Sequence, residues 1–193
     1  MLFYSLFPTA IGVCGICWSQ DGICGLSLPE ATESATKQKL LQRHAGAVAT
    51  DLNLEACLEP GAKQAFQQAA AAVKKLQLHL SGEQQDLRQI ALDLHGCSPF
   101  AVKVYLAAQQ ILAGATCTYG ELAELAGAPG AARAVGRALG ANPIVVIVPC
   151  HRIMGKGNKL TGFSAYGGCD LKLKLLNIEK TSSKATACLA FSK

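Results

Sequence analysis

At 193 residues, half of them apolar and 16% charged, the chain is long enough to bury a core and too apolar to be intrinsically disordered. Its nine cysteines are odd in number and scattered through a chain much larger than a disulfide-stapled scaffold, so they read mainly as reduced thiols buried as small apolar residues. The net charge of +5 is uneven: residues 1–94 carry seven Lys and Arg against nine Asp and Glu, a net of −2, and residues 95–193 carry eleven against four, a net of +7. That asymmetry suggests a polyanionic partner for the second half, although a solvated surface gives the same count.

The run from Met1 to Trp18 is apolar, but it lacks a basic start and is broken by Pro8, Gly12 and Gly15, which argues against a secretion signal. No later run approaches the ~18 apolar residues of a membrane span, and the expectation is a soluble, cytoplasmic protein. Phe3 to Leu28 reads as strands, with a hairpin turn at Ser19-Gln20-Asp21-Gly22. Cys14 and Cys17 form a CxxC, yet residues three apart in a strand point to opposite faces. No second CxxC or His pair stands at metal spacing, so a redox or metal-binding protein built on Cys14, Cys17 and Cys24 is the weaker reading.

Thr32 to His44 is helical in composition, anchored by Leu40 and Leu41. Pro60 and Gly61 open a long helix to Leu80, with Phe66, Ala69 or Ala70, Val73 and Leu76 on one face and Ser81-Gly82 as its stop. Leu87 to Leu94 places Ile90, Leu92 and Leu94 at period two and predicts a strand. Gly96 then marks a boundary between an N-terminal α/β domain, residues 1–94, and a mostly helical C-terminal domain, residues 95–180, followed by a tail over 181–193.

In the second half, Ser98-Pro99 starts a helix expected to reach about Leu112, before Gly114. Thr118-Tyr119-Gly120-Glu121 has the capping-box pattern and opens a short helix through Ala126. A tight Gly127–Gly130 connection leads to a second short helix, Ala131 to Leu139, and the pair reads as a helix-turn-helix. Ile144 to Val148 predicts a buried strand that delivers Pro149-Cys150-His151-Arg152. Gly155 to Lys159 is a basic loop or hairpin, Gly162 to Gly168 a glycine-rich loop, and Asp170 to Ile178 a final helix.

The chemistry gathers at Cys150. A thiol with a pKa near ~8.5 is little ionised at neutral pH without a base or cation beside it, and His151 and Arg152 are neighbours of both kinds. Side chains adjacent in extended backbone point apart, so contact between Cys150 and His151 needs a turn or a bridging water. A buried cysteine beside a capping histidine is the bland alternative. The second short helix carries only small residues and Arg133 near its start. It has no Asn, Gln or acid with which to read base edges, and a plain Ala-rich packing helix would look the same.

Taken together, Thr118-Tyr119-Gly120-Glu121-Leu122-Ala123, Ala132-Arg133-Ala134-Val135-Gly136, Asn142-Pro143 and Pro149-Cys150-His151-Arg152, in this order and spacing, resemble the O6-alkylguanine-DNA alkyltransferases, also called methylated-DNA–protein-cysteine methyltransferases. The match covers about residues 96–179; the first half is similar only in pattern. The resemblance implies a ribonuclease H-like α/β domain followed by a winged helix-turn-helix domain. The implied activity is single-use repair: O6-alkylguanine, with O4-alkylthymine as a further candidate, is flipped out of double-stranded DNA, and its alkyl group passes irreversibly to Cys150.

The resemblance also implies roles for named residues. Cys150 is the nucleophile, His151 a water-mediated base, Glu179 the acid that orients the imidazole, and Asn142 a tie between the second helix and the active-site turn. Tyr119 crowds the target phosphate and lines the pocket, Arg133 is the finger that fills the vacated stack, and Ala131, Ala132 and Gly136 let the helix approach the minor groove. Backbone groups of the Gly162–Gly168 loop would polarise the guanine oxygen. No cofactor or metal is required, and a monomer is expected, with cooperative binding along DNA left open. The chain departs from the family's usual pattern at Ala101, Tyr105, Leu112-Ala113-Gly114 and Lys174. Arg152 suits a structural ion pair. Cys169, near the glycine-rich loop, is read as a buried thiol, with a chance disulfide to Cys150 as the alternative. A non-catalytic binder of distorted DNA is the competing function, and a thiol at Cys150 speaks against it.

Overall fold

The structure, a computed structural model, describes residues 1–52 and 60–182. Three strands open it, β1 (Phe3–Thr9), β2 (Gly12–Ser19) and β3 (Gly22–Ser27), paired antiparallel in sequence order. The expected turn at Ser19–Gly22 is present, with Ser19 paired to Gly22. The first hairpin was not anticipated, because Thr9-Ala10-Ile11-Gly12 lacks the usual Asn-Gly or Asp-Gly signal. It is closed instead by the Thr9 hydroxyl, which donates to the Gly12 carbonyl and accepts from the Ile11 N–H, while Gly12 takes φ +124°. The short β4 (Val48–Ala49) joins β1 in parallel, giving the order β3-β2-β1-β4.

Helix α1 (Glu33–Arg43) is capped by Thr32, whose hydroxyl accepts the Ala35 N–H at 3.1 Å, and packs on one face of the sheet with Leu40 against Tyr4, Cys17 and Cys24. Helix α2 (Pro60–Leu80) covers the other face. Phe66, Ala69, Val73 and Leu76 are buried as expected, with Ala69 rather than Ala70 turned inward. These residues meet Cys14, Ile16 and Trp18 in a core that continues without a break into the second half, as far as Leu175.

Leu87–Leu94 is not a strand, contrary to its periodicity. It begins as a turn, with the Ile90 N–H bonded to the Leu87 carbonyl, and makes only two ladder bonds to the edge of β3, from Ile23 N–H to Ala91 and from Asp93 N–H to Ile23.

The second half is helical as anticipated. Helix α3 (Pro99–Gln109) starts at the Ser98 cap and stops three residues short of Leu112; Gln110 bonds back to Ala107, and Gly114 turns the chain at φ +82°. After β5 (Cys117–Thr118), helix α4 (Tyr119–Leu125) carries the full capping box, Thr118 and Glu121 each accepting the other's backbone N–H. Helix α5 (Ala132–Gly140) packs against α4 and α3. The Tyr105 hydroxyl, a donor kept protonated because burial pushes its pKa up to about 12, ties α3 to α5 through the Ala138 carbonyl at 2.8 Å.

Ile144–Val148 is buried but is not a strand. The Val148 N–H turns back to the Ile144 carbonyl at 2.9 Å, and Val146 sits at φ +77°, a left-handed conformation that costs a β-branched residue about 1–3 kcal/mol. Cys150–Arg152 then forms one 3-10 turn leading into β6 (Ile153–Met154), which pairs in parallel with β5. Helix α6 (Gly168–Ser182) is longer at both ends than the predicted Asp170–Ile178 and takes in the first two residues of the expected tail; residues 183–193 lie outside the described ones. Among the described residues, no helix is long and apolar enough to cross a membrane.

Candidate active site

Asn142 explains why the stretch before Cys150 leaves strand geometry. Its side-chain oxygen accepts the Ile144 N–H and its amide donates to the Val148 carbonyl, both at 2.9 Å. Those are backbone groups that a ladder would have used. The buried side chain therefore moulds residues 144–148 into a loop that ends on the Cys150 turn. Arg43, at the end of α1, donates to the carbonyls of Ala141 and Asn142 at 2.9 and 3.1 Å, bracing the same corner from the N-terminal half.

The 3-10 turn buries Cys150, His151 and Arg152 together. Burial pushes the Cys150 thiol up. The Asn142 amide, the Lys172 ammonium and the N–H groups of Cys150 and His151 pull the other way, toward the thiolate. Lys172 is itself fully buried, its ammonium donating to the carbonyls of Ile153 and Thr161. Sequence reasoning passed over this lysine because nothing in a helical Leu-Lys-Leu-Lys pattern separates a buried lysine from a solvated one.

Glu179, on α6, is the electrostatic centre of the site. Its carboxylate accepts from His151 Nε2 at 2.8 Å, from His79 Nε2 at 3.1 Å, from the Arg152 guanidinium at 2.7–3.2 Å and from the Gly114 N–H at 3.3 Å. Burial alone would raise its pKa, but the attraction and hydrogen bond of His151, with the bonds from His79 and Arg152, hold it far below the usual carboxylate range. Arg152 is thus the structural ion pair that its position suggested, and it also reaches the Ile111 carbonyl.

The two histidines have definable tautomers. His79 Nδ1 accepts the Gln85 N–H, so its Nε2 carries the proton given to Glu179. His79 is a component that the sequence did not reveal: it lies near the end of α2, 100 residues from Glu179, inside an apolar repeat with no motif around it. His151 gives its Nε2 proton to Glu179, which leaves Nδ1 as the basic nitrogen; that atom is buried and has no protein partner among the described residues. Burial, outweighing the pull of Glu179, lowers the His151 pKa and keeps the imidazole neutral at pH 7.

The remaining expected residues form a second group on α4 and α5. Tyr119 is half-buried at the start of α4, its ring 3.7 Å from where a Cβ on Gly136 would stand, and Arg133 is exposed on the first turn of α5. Ala131, Ala132 and Gly136 are half-buried along this helix. Among the described residues, Tyr119 and Arg133 make no hydrogen bond to the Cys150 group. Cys169 is exposed at the start of α6, not the buried thiol expected, and both Cys169 and Cys150 are free.

A buried thiol beside a neutral imidazole fixed by a buried acid, and an adjacent pair of short helices, agree with the likenesses to known proteins. Residues 99–181 match the family described as 6-O-methylguanine DNA methyltransferase, DNA binding domain. A methylated-DNA–protein-cysteine methyltransferase from Mycolicibacterium paratuberculosis is 49% identical over 120 residues, covering 62% of this chain and 70% of that protein. One from Mycobacterium bovis is 43% identical over 148 residues, 75% of this chain and 87% of the relative. Among solved structures, Mycobacterium tuberculosis OGT in complex with DNA superposes with a TM-score of 0.69 at 33% identity, over 93% of this chain and 94% of that one. The O6-methylguanine methyltransferase of the same organism gives 0.68 at 34% identity, over 96% and 97%. Likeness of this extent, running through both halves and carrying the Cys150 turn with it, places the chain in the methylated-DNA–protein-cysteine methyltransferase family.

Proposed function

We propose that this protein repairs O6-alkylguanine in double-stranded DNA by moving the alkyl group onto Cys150, once per molecule. The observation that carries the reading is the Glu179–His151 pair, 2.8 Å apart, which leaves His151 Nδ1 as the free base on the turn that holds Cys150. A water between Nδ1 and the thiol takes the Cys150 proton to the imidazole, and Glu179 stabilises the imidazolium that results. The thiolate attacks the alkyl carbon, a C–S bond forms as the C–O bond breaks, and the guanine oxygen leaves with the electron pair. The Asn142 amide and the Lys172 ammonium favour the thiolate before attack. A thioether is a poor leaving group, so no later step restores the thiol.

The lesion lies inside the duplex, and the base must leave the stack to reach a buried thiol. Helix α5 supplies the surface: Ala131 stands at its N-cap without a side-chain bond, leaving N–H groups for phosphate, and Arg133 projects from the first turn to occupy the vacated space. Tyr119 sits where it can crowd the target phosphate. Ala131, Ala132 and Gly136 keep the helix slim enough for a minor groove, and contacts of this kind depend on salt more than on sequence. The sheet with its two helices supports a ribonuclease H-like reading of residues 1–94. The helix pair beside β5 and β6 supports a winged helix-turn-helix reading of residues 95–180. A cytoplasmic monomer that uses no cofactor fits this chemistry.

The deciding experiment follows a label. With a duplex oligonucleotide carrying O6-methylguanine labelled in the methyl group, one equivalent of label should pass to the protein and none to Cys150→Ala. Label that stays on DNA with wild-type protein would sink the proposal.

A further inference from the structure

The sheet face turned away from the main core holds a cluster that alkyl transfer does not use. Strand alternation sends Cys14 into the main core with Ile16 and Trp18, and Cys17 to the opposite face. On β3, Gly25 pairs with Cys17 and Ile23 with Trp18, so the irregularity between Cys17 and Trp18 leaves Cys24 as the extra residue, on the same face as Cys17. His44, which ends α1, lies over this face too. The two sulfurs and one imidazole nitrogen all lie within 4.8 Å of one another. Thus the pair that gathers is Cys17 with Cys24, not the CxxC pair.

Two further observations mark the cluster as a built place. A Cβ on Gly25 would stand 2.3 Å from His44 Nε2, so the imidazole can lie across the sheet only because residue 25 has no side chain. Cys24 and His44 also line a cleft together with Leu2, Arg43 and Pro143, whereas Cys17 beneath them is fully buried. The group is closed on the protein side and open to solvent on the other.

We propose that Cys17, Cys24 and His44 bind one zinc ion through two thiolates and one imidazole nitrogen, with water from the cleft as fourth ligand. The donors are of the soft and borderline kind that zinc takes and that magnesium and calcium do not. Binding releases the two thiol protons to solvent and changes no oxidation state. The ion would clamp the end of α1 to β2 and β3. Arg43, next to His44, braces the Asn142 corner, so the clamp would steady the support of the Cys150 turn from behind.

The test uses the full chain, purified under reducing conditions, stripped with chelator and titrated with Zn²⁺, and with Co²⁺ as a coloured probe. One equivalent should bind, and the cobalt form should show near-ultraviolet thiolate-to-metal charge transfer with the visible bands of a tetrahedral site. His44→Gln and Cys24→Ser should each weaken binding by about 100-fold or more, since loss of mere outer-shell partners already costs about 10–100-fold. Cys14→Ser and Cys150→Ala should keep the full equivalent. His44 is half-exposed at a helix end, so His44→Gln should retain the wild-type far-ultraviolet circular dichroism and separates lost ligation from lost folding. Failure of the reduced protein to bind, binding that survives both His44→Gln and Cys24→Ser, or binding lost in Cys14→Ser would overturn the proposal. So would a Cys17–Cys24 disulfide in a chain that takes up no metal after reduction.

Discussion

Replacing Glu179 by Gln keeps the shape of the side chain and removes its charge, which tests how far the site depends on one buried acid. Arg152 is 5% exposed and spends its guanidinium on Glu179 and the Ile111 carbonyl. With Gln at 179 the cation stays buried without its counter-charge, a change that costs about 3–5 kcal/mol. Gln also presents an amide N–H₂ toward one of four groups that all donate, His151, His79, Arg152 and the Gly114 N–H, so at least one donor loses its acceptor. For a chain of this size each kcal/mol moves Tm by about 2–4 °C. Thermal unfolding of Glu179→Gln should therefore fall by roughly 6–20 °C. Single-turnover transfer from an O6-methylguanine duplex should slow at temperatures where the variant is still folded, because His151 loses the acid that stabilises its protonated form. Glu179→Gln combined with Arg152→Met should recover part of the lost Tm, since removing both charges leaves none uncompensated. A Tm within about 2 °C of wild type for the single variant, or a double variant less stable than the sum of the two singles, would refute the reasoning.

Three other outcomes are expected. Acid should destabilise the protein in two stages: burial depresses the folded pKa of His151 below its ordinary 6.5, so its contribution is complete above about pH 6.5 and shrinks as pH falls, and Glu179, depressed from 4.5, adds a second loss below about pH 4.5. Urea midpoints measured from pH 8 to pH 4 check this, and a midpoint that rises on acidification to pH 5.5 would contradict it. Asn142→Ala leaves the Ile144 N–H and the Val148 carbonyl buried without their partner and should cost about 2–4 kcal/mol by denaturant titration, whereas a cost under about 0.5 kcal/mol would mean that the loop holds itself. Arg133→Ala should slow repair of duplex DNA far more than reaction with free O6-benzylguanine, compared as rate constants for the two substrates; equal loss on both would remove the flipping role.

Much of the second half was legible because its cues are local. Ser98-Pro99, the Thr118–Glu121 box and the glycines at 127 and 130 act within one turn of chain, and each element began within one residue of where those residues placed it. The two strands expected and not found failed for a reason that spacing cannot reveal. Ile144–Val148 has strand composition, but Asn142 takes its N–H and carbonyl groups first. Leu87–Leu94 has period two, but only the Ile23 edge is there to pair with it. Cys150 and His151 stood out from their own sequence, Glu179 came from the resemblance, and the 2.8 Å contact between His151 and Glu179 fits both. His79, Lys172 and Arg43 were missed because each has a partner 19 or more residues away along the chain, brought to it only by the assembled core.

The bond from His79 to Glu179 bears on what counts as a transplantable unit. The stretch that matches the family description runs from 99 to 181, and it holds the thiol, the imidazole, the acid and both short helices. Yet one donor to that acid arrives from α2, on the far side of the expected boundary at residue 94. A chain cut there keeps every residue proposed to take part in the transfer, but it removes the His79 donor from a buried carboxylate and loosens its orientation. The first half of the molecule is in this sense part of the reagent, and exchanging it between relatives would mean matching the residue at 79 to the acid it meets.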